Sequence, residues 1–367
     1  ADNITGRIGH VASNVLMCAV ILCIGPMVAI PRTAATTLEM SVTPFFSGMS
    51  PVVFSIIFFA VILLLSIKQS AVIDIVGKIL TPALLIGLLV LIVKGFVSPI
   101  GDIVDTGVSA SEVTVNGIKS GYQTMDVLAA MAFGIIILSS ADAKGYTDSK
   151  SAAKMIGIAA ALSGVLLMIV YFGLTYLGAT ASTVFPTDIS RANLVIGIVE
   201  LLLGKAGLII FAIVVALACI TTAVALVSSA ASFFAKLANN KISYGVFVTV
   251  ICVSSAIISN LGLDTIIAIA TPILDIVYPP MLVLILLSWF GDKLHKSVYV
   301  SSVAGSLIAS VLATAELYGM NVPVVDSLPL ASLGLGWVLP AAVFGVVAYL
   351  VSKVKFQNAQ TANAHNS

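Results

Sequence analysis

Long runs of apolar residues, separated by short polar stretches, recur along the whole chain. A membrane-spanning helix needs about 20 mainly apolar residues. The pattern predicts ten spans: Ile8–Ile30, Val52–Ile67, Ile79–Val97, Gly121–Ser140, Ala152–Leu177, Leu208–Phe234, Tyr244–Leu261, Ile266–Phe290, Val298–Leu317 and Leu330–Val351. A further short apolar segment, Ala192–Leu203, precedes the sixth span and is expected to form an outer helix. Because the two-residue alternation of barrel strands is absent, the pattern predicts an all-α integral membrane protein.

Composition agrees with a protein whose solvent is a bilayer. Of the 367 residues, 60% are hydrophobic and 9% are charged, whereas a typical soluble domain is about 25% charged. This excludes an ordinary soluble enzyme, a secreted disulfide scaffold and a disordered chain. The formal net charge of +1 gives no electrostatic reason to expect nucleic-acid binding.

The basic residues predict which side of the membrane each loop faces. If alternate loops are assigned to one side from the N-terminus onward, the other side holds only five of the 17 Lys and Arg residues: Arg32, Lys94, Lys119, Arg191 and Lys205. Basic loops stay in the cytoplasm, so both termini are expected to be cytoplasmic. Residues 1–356 are expected to form a single transmembrane domain, followed by a disordered polar tail at 357–367.

No sequence motif indicates enzymatic chemistry. The four cysteines lie inside predicted spans, where they are small buried apolar residues, and the three histidines form no ligand cluster. Zinc-protease, nucleophile-elbow and phosphate-binding glycine motifs are all missing from the sequence. The sequence therefore predicts a membrane protein that is not an enzyme.

Polar or broken stretches inside the spans indicate candidate functional sites, because unpaired backbone is tolerated in a membrane mainly where it lines a cavity. In the first of them Pro26 and Pro31 interrupt the first span near its outer end, and Arg32 follows directly. One hypothesis is a helix end with an arginine that reaches back to the interface. The other is a gating or vestibule residue, with Arg32 paired to a carboxylate such as Glu39.

The stretch from Gly121 to Ile137 opens with polar residues that include Tyr122, Thr124 and Asp126. An acid just inside a membrane boundary is a candidate functional residue. Alternatively, Asp126 stands at a helix start, where the helix dipole favours it. Gly134 would permit a break of this helix at mid-membrane.

Near the middle of the sixth span, Thr221 and Thr222 follow Ala218 by three and four residues, on the same helix face. Two hydroxyls and the Ala218 carbonyl suit Na⁺, provided that a second, unwound helix adds further carbonyls. The alternative is that each hydroxyl only bonds to its own preceding turn.

In the eighth span Pro272 and the Pro279-Pro280 pair flank Asp275. These prolines predict a kink, and an acid at that depth should face a cavity or a partner; a purely structural kink is the alternative. Interrupted helices with polar midplane residues are typical of secondary transporters. No nucleotide-binding motif is present, so an ion gradient or the substrate's own gradient is expected to drive transport.

Five stretches together resemble the branched-chain amino acid:cation symporter family, the bacterial LIV-II type carriers. They are GPMVAIPRTAATTLE, NGIKSGYQTMDVLAAMAFGIII, ALACITTAV, SNLGLDTIIAIATPILDIVYPP and LPLASLGLGWVLP, and they follow one another in family order between about Gly6 and Lys353. The resemblance implies twelve helices in the five-plus-five inverted-repeat, leucine-transporter-like fold of the APC superfamily, with two extra helices. The ten spans would then be helices three to twelve, and helices one and two would be missing before Ala1.

The resemblance also implies a function and site residues. It implies symport of Leu, Ile and Val with Na⁺ (H⁺ is an alternative) across the cytoplasmic membrane by alternating access, without another cofactor. Residues expected near the amino acid are Tyr122, Thr124, Asp126, Ala130, Phe133 and Gly134. The Ala218 carbonyl, Thr221 and Thr222 would hold Na⁺, while Arg32 and Asp275 would have gating or structural roles. The alternative is a non-transporting membrane scaffold or partner subunit made of the remaining helices.

Overall fold

The computed structural model describes residues 5–67, 72–105, 107–146 and 148–365. The regular structure of these residues is helical throughout, without a strand. The α-helices are α1 (His10–Leu22), α2 (Ala29–Thr37), α3 (Pro51–Ile67), α4 (Val72–Val97), α5 (Ala110–Gln123), α6 (Asp126–Ala143), α7 (Ser149–Ala181), α8 (Arg191–Leu237), α9 (Tyr244–Ser259), α10 (Leu263–Ser288), α11 (Lys296–Leu317), α12 (Pro323–Asp326) and α13 (Val338–His365).

Many of these helices are suited to a bilayer. Within the described residues, five are long and apolar enough to cross it: His10–Val42, Lys150–Ala181, Arg191–Leu237, Leu263–Ser288 and Lys296–Leu317. Shorter apolar helices occur at Pro51–Ile67, Thr81–Val97, Tyr244–Ser259 and Val338–Val354. The all-helical architecture predicted from the sequence is thus confirmed, while the count of ten spans stays a prediction.

The chain forms two compact units, each assembled from separate stretches. The first unit consists of Ala1–Cys23, Gly107–Ala132 and Ile269–Ser367, and the second consists of Ile24–Thr106 and Phe133–Ala268. In the first unit α11 and α13 pack so closely that a Cβ atom on Gly305 would lie 2.6 Å from the Pro340 carbonyl oxygen. In the second unit, α4, α7 and α8 bury an apolar cluster that includes Ile92, Leu177 and Val199.

The first helical run continues beyond the predicted end at Ile30. It extends from His10 to Val42, and α1 and α2 are joined through the turn Cys23–Met27, where Gly25 has a non-helical conformation (φ −98°, ψ −126°). Pro31 lies in the first turn of α2, where a backbone N–H has no partner within the helix, so this proline begins a helix and does not end one. Arg32 consequently lies inside a helix.

The helix α8 contains a sharp kink that separates the predicted outer segment from the predicted sixth span. Gly204 adopts φ +68° and ψ −174°, a conformation essentially restricted to glycine. The residues on either side, 191–203 and 205–237, are helical. The sequence boundary between Ala192–Leu203 and the following span is therefore confirmed.

The last long helix begins at Val338, eight residues after the predicted start at Leu330. Leu330 and Gly334 both have positive φ angles (67° and 69°), which exclude them from a continuous α-helix. Helix α13 ends at His365, so the structure places residues 357–365 in the helix, whereas composition predicts disorder there. The last two residues of the tail, 366–367, lie outside the described residues.

Candidate functional site

A helix interruption at Thr124 and Met125 separates α5 from α6; we call these two residues the hinge. Met125 has φ +60° and is 6% exposed, so a buried side chain holds the backbone in a conformation that most L-residues avoid. The Thr124 hydroxyl donates to the Gly121 carbonyl oxygen (2.8 Å), satisfying one acceptor at the end of α5. Asp126 is the first residue of α6, where an acidic side chain is favoured by the helix dipole.

The break that Gly134 would permit does not occur. Gly134 is helical, within α6, and the interruption occurs ten residues earlier at the hinge. A glycine permits a break but does not require one, and a Cβ atom at Gly134 would have no heavy atom within 4 Å. The alternative interpretation, that Asp126 stands at a helix start, is confirmed, because α6 begins at this residue.

Two aromatic rings and a hydrogen bond fix the end of α5 against α10. Tyr122 and Tyr278 stack with ring centroids 4.6 Å apart and an angle of 16° between the planes. Next to them, Gln123 Nε2 donates to Thr271 Oγ1 (3.0 Å). The hinge is therefore held in place on its α5 side by α10, the helix that also carries Asp275.

A cavity of about 460 Å³ lies beside this stack, within the first unit, and we call it the Lys119–Asp275 cavity. Side chains from α5, α10, α11 and the segment between α11 and α13 form its wall, and they include Tyr122, Glu316 and Trp337. Asp275 and Lys119 are half-buried and interact electrostatically. The expectation that Asp275 faces a cavity is therefore confirmed, although its gating role stays a prediction.

The structure divides the six predicted substrate residues between the two units. Tyr122, Thr124, Asp126 and Ala130 belong to the first unit; Tyr122, Thr124 and Asp126 are half-buried, and Ala130 is exposed. The other two, Phe133 and Gly134, are half-buried residues of the second unit. Sequence reasoning missed Lys119, Glu316 and Trp337 as cavity residues, although Trp337 stands inside one of the family-like blocks.

The predicted Na⁺ ligands occupy consecutive turns of α8 in the second unit. Thr221 Oγ1 lies 2.9 Å from the Ala218 carbonyl oxygen and 3.1 Å from that of Leu217, so the hydroxyl donates to the preceding turn of its own helix. This is the bond that the purely structural alternative requires. A carbonyl oxygen has two lone pairs, and a hydroxyl that donates its proton keeps its own, so the arrangement still offers oxygens to a cation. Thr222 is exposed.

The sequence suggested that Arg32 and Glu39 form a pair, and the structure shows contacts of each with other groups. Arg32 interacts electrostatically with Cys219 of α8 and Tyr171 of α7, and Arg191 is near enough to repel it. Glu39 Oε1 instead accepts a hydrogen bond from the Leu263 backbone N–H (2.8 Å). Glu39 thus satisfies one of the free N–H groups at the start of α10.

The chain is similar to a known family and to several characterised proteins. It matches the family described as "Branched-chain amino acid transport protein" over residues 1–355. It is 34% identical over 365 residues to the branched-chain amino acid permease BraB of Bacillus subtilis, covering 96% of this chain and 82% of that protein. No solved structure matches the chain.

Two further relatives have similar names. The branched-chain amino acid transport system 2 carrier protein of Pseudomonas aeruginosa is 35% identical over 360 residues, covering 96% of this chain and 82% of that protein. The branched-chain amino acid permease BrnQ of Escherichia coli K12 is 32% identical over 373 residues, covering 99% and 84%. These relatives are permeases and carriers, which confirms the prediction of a membrane transport protein and not an enzyme. The chain belongs to the branched-chain amino acid transport protein family.

Proposed function

We propose that this chain transports Leu, Ile and Val across the cytoplasmic membrane, coupled to Na⁺ (with H⁺ as the alternative ion) by alternating access. The names of the relatives support the substrate class. The single structural observation that carries the proposal is the hinge, where α5 ends and α6 begins beside the half-buried Tyr122 and Asp126. Interrupted helices are the usual place where secondary transporters bind substrate and coupling ion.

The hinge offers the groups that an amino acid needs. The end of α5 and the start of α6 expose backbone carbonyl and N–H groups that no longer bond within a helix, and these suit an ammonium and a carboxylate group. Asp126 adds a negative charge for the ammonium. Ala130, farther along α6 in the same unit, supplies apolar surface for a branched side chain, while Phe133 and Gly134 stay predictions from the sequence. Because one methylene is worth only about 1–3 kcal/mol in such a pocket, we propose weak discrimination among the three substrates.

For the coupling ion we propose the Ala218 carbonyl with Thr221 and Thr222, completed by carbonyl groups of another, unwound helix. Their oxygens lie on one face of α8, and oxygen ligands suit a small hard cation. We further propose ten spans in a leucine-transporter-like arrangement, with both termini cytoplasmic. The distribution of Lys and Arg among the loops supports this orientation. Arg32 and Asp275 would then have gating or positioning roles.

Reconstitution tests the proposal. The purified chain is placed in liposomes, and uptake of radiolabelled leucine is measured under an imposed Na⁺ gradient, an imposed H⁺ gradient, or neither. A second preparation adds the two helices that the family resemblance places before Ala1. Uptake should require a cation gradient and should be competed by Ile and Val but not by Lys or Glu. If neither preparation takes up leucine under either gradient, transport is refuted and the scaffold hypothesis is favoured.

A matched pair of variants locates the substrate site within the same assay. Asp126→Asn keeps the size of the side chain but removes its charge, and should reduce leucine uptake by about tenfold or more, because a hydrogen bond to a charged group is worth about 1.5–3 kcal/mol. Glu112→Gln removes an exposed acid from the start of α5 and should leave uptake unchanged. Equal uptake by the two variants would remove Asp126 from the site.

A further inference from the structure

The Lys119–Asp275 cavity shares Tyr122 with the proposed hinge site, but it also contains Lys119, Asp275, Glu316 and Trp337, which the hinge site does not use. Its volume of about 460 Å³ is in the range of small-molecule sites in proteins. Pro279, Leu317 and Leu328 give it apolar surface. The opposite charges of Lys119 and Asp275 therefore share a partly apolar space.

The two charges interact without making a direct ion pair. Both side chains are half-buried, so each has lost part of its hydration. Asp275 also stands four residues before Pro279, and a proline has no N–H with which to bond the Asp275 carbonyl oxygen. The Asp275 carbonyl oxygen therefore lacks the usual i+4 donor of a helix. Glu316 adds a second carboxylate to the wall.

Two buried donors in the same wall are without hydrogen-bond partners. Trp337 is 9% exposed, and its indole Nε1 makes no hydrogen bond. The Tyr122 hydroxyl is also buried without a hydrogen bond; it lies near the indole, but the two groups do not reach bonding geometry. Buried polar atoms in native proteins nearly always have partners, so an unpartnered donor in a cavity wall is a group that a ligand in the cavity would satisfy.

From these groups we infer that the Lys119–Asp275 cavity is a second binding site for a free amino acid with an apolar side chain, separate from the hinge. Asp275 and Glu316 accept hydrogen bonds from the ammonium group of the ligand. Lys119, with the Trp337 and Tyr122 donors, binds its carboxylate. A zwitterion that bridges Lys119 and Asp275 replaces the hydration that both charges lose. The choice of an apolar amino acid as ligand rests on the proposed function.

The tryptophan content of the chain allows a direct test. The chain has two tryptophans, and Trp289 is 90% exposed, so Trp289→Phe leaves Trp337 as the only indole without disturbing a packed region. The fluorescence of this variant in lipid nanodiscs is followed while L-leucine, isoamylamine or isocaproate is added. Leucine should give a saturable change. Isoamylamine has no carboxylate and isocaproate has no ammonium, so each should bind at least tenfold more weakly.

Variants in the same background distinguish the cavity from the hinge. Lys119→Gln and Asp275→Asn should each weaken leucine binding about tenfold or more, and Lys119→Arg, which keeps the charge, should restore most of it. Asp126→Asn should leave the Trp337 response intact. If Asp126→Asn abolishes the response while Lys119→Gln and Asp275→Asn preserve it, the signal comes from the hinge and the inference is wrong.

The inference and the proposed function can fail separately. A saturable Trp337 response in a chain that takes up no leucine would support the cavity site and refute transport. Conversely, gradient-driven uptake by a chain whose Trp337 fluorescence does not respond to leucine would support transport and refute the cavity site.

Discussion

Replacing Gly305 by alanine should destabilise the contact between α11 and α13. A Cβ atom at this position would lie 2.6 Å from the carbonyl oxygen of Pro340, which is 0.8 Å closer than the 3.4 Å at which ordinary contacts begin. The same atom would lie 3.1 Å from Cγ of Phe344. Because the close neighbour is backbone, no side-chain rotation relieves the clash, and α13 has to move away from α11.

The free-energy cost of this clash is partly offset by the higher helix propensity of alanine. Overpacking a closely packed interface costs about 1–3 kcal/mol, whereas alanine gains about 1 kcal/mol over glycine inside a helix. Gly164→Ala supplies a control for the second effect, because Gly164 lies in α7 with no heavy atom within 4 Å of an added Cβ. Gly305→Ala should therefore be about 1–3 kcal/mol less stable than Gly164→Ala.

A third variant, Gly345→Ala, should have an intermediate effect on stability. A Cβ atom at Gly345 would clash with Oγ of Ser302, a side-chain atom that can rotate away, so the stability of Gly345→Ala should lie between the stabilities of the other two variants. The free energy of unfolding is measured for each variant in mixed detergent micelles by titration with dodecyl sulfate. If Gly305→Ala is as stable as Gly164→Ala, the close packing of α11 on α13 is refuted.

Further variants test other parts of the chain. Thr221→Ala combined with Thr222→Ala should weaken the apparent Na⁺ affinity of leucine uptake about tenfold or more, while the corresponding serine pair should not; an unchanged Na⁺ dependence would remove both from the ion site. Glu39→Ala leaves the Leu263 N–H without its acceptor and should cost about 1–3 kcal/mol of stability, whereas Glu39→Gln keeps an acceptor and should recover most of it. Gly204→Ala should cost about 1–3 kcal/mol relative to the Gly164→Ala control, because only glycine readily adopts that kink; equal unfolding free energies would contradict this.

The apolar pattern alone located most of the helices to within a few residues. Helix α9 begins at the predicted Tyr244, and α11 ends at the predicted Leu317. These elements are predictable because each is a single apolar run bounded by polar residues. In the first run, the interruption predicted at Pro26 is confirmed by the non-helical Gly25 beside it, but the predicted end at Ile30 is wrong because Pro31 was taken as a helix breaker. A proline in the first turn begins a helix, whereas a proline farther along ends or kinks it. The sequence shows that a proline is present but does not show where the first turn lies.

Interruptions inside the membrane were harder to locate than the helices themselves. The prolines of α10 predicted a kink, which stays a prediction; the helix runs from Leu263 to Ser288 through Pro272 and Pro279. The break between α5 and α6 falls at Met125, a residue without intrinsic preference for a positive φ angle. Such a conformation persists only if surrounding contacts impose it. Here the Met125 side chain is buried, and the neighbouring Tyr122 and Gln123 are fixed to α10.

The same reasoning explains why the polar residues around the hinge could be named from sequence and the cavity could not. Tyr122, Thr124 and Asp126 lie within five positions of one another, so they stand out as a polar group inside one apolar stretch. Lys119 and Trp337 meet in one wall only because α5 packs against the segment that precedes α13. In the sequence, Lys119 is one of five basic residues assigned to the outer side, and its partner Asp275 stands 156 positions away (275 − 119). Charges brought together by tertiary packing become a candidate site only when the packing itself is known.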